Sequence, residues 1–101
     1  MADYTNATQQ RILRVLLALA GHEVNGLAPS EIAHGLNINQ SNTTRDLANL
    51  REAGLAEQIP DTGRWRLTPR IPQIAVAMLQ GVDRAERKVI EVKQRYTRAP
   101  R

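Results

Sequence analysis

Between residues 27 and 55 the chain reads Leu27-Ala28-Pro29-Ser30-Glu31-Ile32-Ala33-His34-Gly35-Leu36-Asn37-Ile38-Asn39-Gln40-Ser41-Asn42-Thr43-Thr44-Arg45-Asp46-Leu47-Ala48-Asn49-Leu50-Arg51-Glu52-Ala53-Gly54-Leu55. Pro29, with its fixed φ, suits the first turn of a helix, and the short helix after it is expected to close at Gly35 in the left-handed conformation. Leu36-Asn37-Ile38 reads as a tight connector. Asn39 is the natural N-cap of a further helix from about Gln40 to Ala53, stopped by Gly54. This run of helix, short turn and helix is the part of the chain from which the fold class is read.

Plotted at 100° per residue, Thr43, Leu47 and Leu50 of the helix at 40–53 share one narrow sector and, with Gly54 and Leu55, form its expected buried edge. Gln40, Ser41, Asn42, Arg45, Ala48, Asn49 and Glu52 lie around the other side. A plain solvated surface is usually a mixture of Glu and Lys. Small hydrogen-bonding groups with one arginine suit contact with base edges instead.

Upstream, Ile12, Leu13, Val15, Leu16, Leu17 and Leu19 fit a helix that begins near Thr5-Asn6-Ala7-Thr8 and stops at Gly21. Its apolar arc is wide, so cover on two sides is expected. Downstream of Gly54 the period becomes alternating: Leu55, Glu57 and Ile59 share a strand face, Pro60-Asp61-Thr62-Gly63 is a turn, and Trp65 and Leu67 alternate with Arg64 and Arg66. The expected hairpin buries Trp65 and Leu67 and holds Arg64 and Arg66 outward. Three helices and then a hairpin is the order of a winged helix-turn-helix, mainly α with a small β-hairpin, over residues 1–70.

Residues 71–101 continue as a long C-terminal helix to about Tyr96 with a basic tail. Ile71, Ala75, Met78, Val82, Ala85, Val89, Val92 and Tyr96 alternate in steps of four and three, the pattern of a coiled-coil seam. A homodimer through these residues is expected, with strand direction left open. The other reading of the seam is a helix that folds back across the first one.

With 101 residues the chain has one modest core, and 14 Lys+Arg against 10 Asp+Glu leave it at +4. Aromatic residues make up 3% and Phe is absent, so a base-stacking sheet is not expected. Zero cysteines exclude disulfides, thiolate metal sites and cysteine nucleophiles. His22 and His34 lack acidic or cysteine partners at ligand spacing, so neither a metal nor any other cofactor is expected. No serine triad, carboxylate pair or glycine-rich phosphate loop is present, and enzyme activity is not expected. With no bilayer-length apolar run and no signal peptide, a soluble, cytoplasmic protein without membrane contact is the expectation.

The stretch from Leu27 to Leu55 resembles the DNA-binding winged helix-turn-helix of the IclR family of bacterial transcription regulators, with its Ser-Glu-Ile-Ala helix at 30–33, Arg45, and Leu47 and Leu50 before Gly54-Leu55. Gly63-Arg64-Trp65-Arg66-Leu67-Thr68 is similar to that family's wing strand, and the likeness covers about Gln10 to Ile74. MarR-like and ArsR-like winged helices share the Leu-x-x-Leu-x-x-x-Gly-Leu ending. By this resemblance Arg45 takes the place of the recognition-helix arginine and Arg66 that of the wing arginine. Asp46 stands where the family has an apolar residue, which is expected to loosen or re-tilt the helix. The family's large effector-binding domain has no counterpart here, so no small-molecule effector is expected.

These readings converge on a sequence-specific regulator, a repressor of transcription, that binds double-stranded DNA as a homodimer. Gln40, Ser41, Asn42, Thr44, Arg45 and Asn49 would enter a major groove, with Arg64 and Arg66 of the wing at 60–66 on the backbone or in the minor groove. Such a stand-alone regulator would suit a phage or prophage. The alternative is a protein-interaction adaptor that keeps the winged fold and docks on a protein or nucleoprotein partner. Charge bears on the choice: residues 1–63 carry four arginines against seven carboxylates, net −3, and residues 64–101 ten cations against three, net +7. Most phosphate affinity is therefore expected from the wing and the C-terminal helix.

Overall fold

The computed structural model describes residues 2–99 and contains α1 (Ala7–Leu19), α2 (Pro29–Leu36), α3 (Gln40–Glu52), β1 (Ala56–Gln58), β2 (Trp65–Leu67) and α4 (Arg70–Thr97). It is the expected mostly helical winged fold with a two-stranded hairpin and a long C-terminal helix. The chain divides into two compact units between Arg70 and Ile71.

Local chemistry sets the helix ends. The Asn6 side chain accepts from the Gln9 amide at 3.0 Å and starts α1, and Asn39 accepts from the Asn42 amide at 2.7 Å and starts α3. Pro29 opens α2, where the Glu31 carboxylate accepts from the Ala28 amide at 3.0 Å. That helix does not close at Gly35. It runs on to Leu36, and Asn37 takes the left-handed conformation at φ 56° while the Ile38 amide donates to Ala33 O at 3.0 Å. Asparagine tolerates this region, and the extra residues bring Leu36 and Ile38 against the core.

The core joins Val15 and Leu19 of α1, Ile32 of α2, Leu47 and Leu50 of α3, Ala56 of β1 and Trp65 of β2. Thr43 is buried as expected and its hydroxyl donates to Asn39 O at 3.0 Å. Not every burial expectation is met. Gly54 is exposed, because at φ 78° it serves the turn after α3, not the packed edge. Within the unit of residues 1–70, α2, α3 and β2 all meet the Val15–Leu19 face of α1, and these elements leave Leu13 and Leu17 uncovered.

In the hairpin Ala56 faces Leu67, Glu57 faces Arg66 and Gln58 faces Trp65. Buried Ala56 lies between Leu55 and Glu57, both half-buried, so the face of β1 turned to the core is the one opposite the Leu55, Glu57 and Ile59 face. Leu67 is likewise half-buried against the core instead of fully enclosed. Leu27 adds a third, one-residue strand, exchanging two backbone hydrogen bonds of 2.8 Å with Trp65. Gly26 makes this approach feasible: its φ is 68°, and a Cβ there would sit 2.7 Å from Trp65 O.

Taken by itself, α4 is a 28-residue helix with no buried residue. Ile71 is half-buried, and the other seam residues, Ala75, Met78, Val82, Ala85, Val89, Val92 and Tyr96, are exposed.

Candidate nucleic-acid interface

With Thr43, Leu47 and Leu50 turned into the core, the opposite side of α3 is presented to solvent. Gln40, Ser41, Thr44, Arg45, Ala48 and Asn49 are exposed and Asn42 is half-exposed. Several of these polar groups are already oriented. The Thr44 hydroxyl donates to Gln40 O at 3.1 Å, the Asn49 side-chain Nδ2 to Arg45 O at 2.8 Å, and the Ser41 hydroxyl to the Asn39 side chain at 3.0 Å. Each keeps further acceptor or donor capacity beyond these bonds. Arg45 differs from them, its guanidinium having no hydrogen bond or ion pair among the described residues. A free planar fork beside small side chains is able to approach the edge of a flat, acceptor-bearing ligand such as guanine.

The wing arginines are not equivalent. Arg64 is not held outward: its Nε donates to Asn25 O at 2.8 Å, its Nη2 to Gly26 O at 3.1 Å, and its Nη1 lies 2.8 Å from the Glu31 carboxylate. It ties the base of the wing to the start of α2. Arg66 sits beside Glu57 across the strand pair at 3.7 Å, a loose and part-exposed contact that an outside anion can outcompete. The sequence reading passed over Arg51, whose guanidinium lies 5.3 Å from the centre of the Trp65 ring and 3.3 Å from the Gln58 side chain. Its spacing of 14 residues from Trp65 has no local signature.

Glu31 has a lowered pKa, first because the Ala28 amide donates to it and further because of Arg64. The sign follows: its contribution to stability is complete above the ordinary glutamate value near 4.5 and is lost as pH falls through the lowered folded value. Glu31→Gln should therefore melt below the wild type at pH 7 and coincide with it once both are fully acidified. Melting curves between pH 7 and pH ~2.5 check this; a gap that persists in acid would mean the charge is irrelevant.

Asp46 does not loosen α3. It is 2% exposed and receives both Nε and Nη2 of Arg11, at 2.7 and 2.8 Å. The Asp46 hydrogen bonds raise the Arg11 guanidinium above its already high ordinary pKa. Both histidines are exposed, and among the described residues no three of His, Cys, Asp and Glu gather where a metal ion would fit. No helix among them is long and apolar enough to cross a membrane.

Residues 4–59 match the family model described as a helix-turn-helix domain. Over 85 residues the chain is 38% identical to the arsenic resistance transcriptional regulator ArsR1 of Pseudomonas putida, a match covering 81% of this chain and 59% of that protein. The chain thus spans about three-fifths of the length of this curated relative. Among solved structures, an IclR family transcriptional regulator from Brucella abortus superposes with a TM-score of 0.67 at 27% identity, over 79% of this chain and 30% of that one. The Zalpha domain of cyprinid herpesvirus 3 ORF112, solved for its binding mode to Z-DNA, superposes with a TM-score of 0.53 at 25% identity, over 59% of this chain and 95% of that one.

Proposed function

The chain belongs to the helix-turn-helix domain family, and from that premise we propose that it is a sequence-specific, double-stranded-DNA-binding regulator of transcription that acts as a repressor. The observation that carries this is the outward face of α3, where oriented small polar groups surround an arginine with no partner among the described residues. In this reading Gln40, Ser41, Asn42, Thr44, Arg45 and Asn49 enter the major groove and Arg66 lies along the phosphates. Arg64 acts at one remove, as the brace that sets the wing.

The superposition on the IclR regulator supports an IclR-type winged helix for residues 1–70. The arsenic response in the name of the P. putida relative is not carried over, because the 101 residues hold no cysteine to supply thiolate to a soft metalloid. Residues 71–101 are assigned to homodimerisation. The seam from Ile71 to Tyr96 repeats in steps of four and three along a 28-residue helix, the spacing that a partner helix covers. Two recognition helices then read half-sites about 10 bp apart or a multiple of it, and the bacterial or phage-host cytoplasm is the assigned place of action.

Selection of bound duplexes from random sequence, followed by salt titration on the winner, tests the proposal. The expected result is a recurrent two-fold-related site with log affinity falling linearly against log salt. Random output, with weak binding at every sequence, would overturn it and leave the protein-docking adaptor in its place. A left-handed CG-repeat duplex included in the titration separates ordinary groove reading from the Z-DNA binding named for the viral neighbour.

A further inference from the structure

The inward side of α3 is formed by two large apolar residues, Leu47 and Leu50, with Thr43 and Asp46. Apolar contacts are non-directional, so two leucines leave the rotation of a helix about its own axis weakly determined. Asp46 supplies the missing constraint. Its two oxygens meet two nitrogens of one Arg11 guanidinium, at 2.7 and 2.8 Å, across 35 residues of sequence from α1. In this planar fork-to-fork arrangement distance and orientation are fixed together, which a single-point contact does not achieve. The other side-chain ion pairs among the described residues join two exposed or half-buried groups, whereas the Asp46 side chain is 3% exposed.

We infer that the Arg11–Asp46 pair is a positioning device that sets the rotation of α3 and so the direction in which Arg45 leaves the helix. Asp46 follows Arg45 directly, about 100° further round the axis. A helix with side chains has a radius of about 5–6 Å, so a rotation of about 20° displaces the outward face by about 2 Å. That displacement is enough to break a bidentate hydrogen bond to a base. The consequence for DNA reading rests on the role proposed above for α3; the orientation itself is a property of the free protein.

Stability and positioning separate experimentally, because a buried ion pair replaced by well-packed apolar residues is often no less stable. Arg11→Lys keeps the charge and loses the planar fork; Arg11→Leu combined with Asp46→Leu removes both charges. Both variants should melt cooperatively, the double one within about 5 °C of the wild type. On the duplex selected by the wild type, the ratio of specific to random-sequence affinity should fall at least about tenfold in each, with random-sequence affinity itself unchanged.

A second readout needs no DNA. The chain has no cysteine, so Gln10→Cys and Glu52→Cys, both at exposed positions, accept spin labels selectively. The distance distribution between them should be narrow with the pair intact and broadened or shifted in either variant. An unchanged distribution in both variants overturns the proposal whether or not DNA is read. An unchanged affinity ratio in a variant whose distribution has moved overturns the link from orientation to specificity. A wild type that selects no sequence overturns the DNA reading and that link with it, while the label distances still decide whether the pair orients α3.

Discussion

Trp65→Ala should cost about 3–5 kcal/mol of folding stability, the range for truncating a large aromatic in a packed core. Trp65 is 6% exposed and packs in one cluster with residues from all three helices of the N-terminal unit. Its ring also carries the Arg51 guanidinium at 5.3 Å, and its backbone holds Leu27 in place. A unit of 70 residues has about 4–10 kcal/mol to lose, so the variant should be marginal at 25 °C. Urea unfolding followed by far-ultraviolet circular dichroism is the suitable measurement, because the chain's single tryptophan is the residue removed. Trp65→Phe should restore more than half of the loss. A midpoint shift for Trp65→Ala equivalent to less than about 1 kcal/mol would mean that the wing is not anchored through this ring.

The elements that sequence reasoning recovered are those with local causes. Asn39 bonds an amide three residues on and Pro29 fixes its own φ, so the starts of α2 and α3 are legible within one turn, whereas at α1 the sequence narrows the start to the polar cluster 5–8 and the structure selects Asn6. The outward face of α3 follows from the same periodicity that buries Leu47 and Leu50. What escaped depends on partners far along the chain. Asp46 reads as a misplaced charge until Arg11, 35 residues earlier, is brought to it. Arg64 reads as an outward strand residue until the loop at Asn25 and Gly26, 39 and 38 residues earlier, closes over its guanidinium. Alternation specifies only that a strand has two faces; which one is covered depends on the helices packed behind it, so the sequence left open that Ala56 is the residue turned inward. The left-handed residue after α2 escaped for a different reason: both Gly35 and Asn37 are able to adopt that conformation, and packing of Leu36 and Ile38 decided between them.

The same distinction between committed and uncommitted side chains gives Arg45→Ala its expected result: a loss of about 10- to 100-fold in affinity for the selected duplex, the worth of one bidentate base contact. Arg45 is exposed and has no partner among the described residues, so the melting temperature should stay within about 2 °C of the wild type and the loss belongs to recognition alone. Salt dependence then distinguishes base from backbone. A residue that reads a base leaves the slope of log affinity against log salt nearly intact and relaxes the preference at one position of the site. A residue that neutralises a phosphate lowers the slope by about one unit and weakens all sequences alike. Arg66→Ala should show the second behaviour, because its loose pair with Glu57 is easily exchanged for a phosphate. Arg64→Ala should follow neither course: it frees Glu31 and two backbone carbonyls, so its DNA affinity should fall together with its melting temperature. If Arg45→Ala keeps full preference for the selected site, α3 is not the element that reads sequence in this protein.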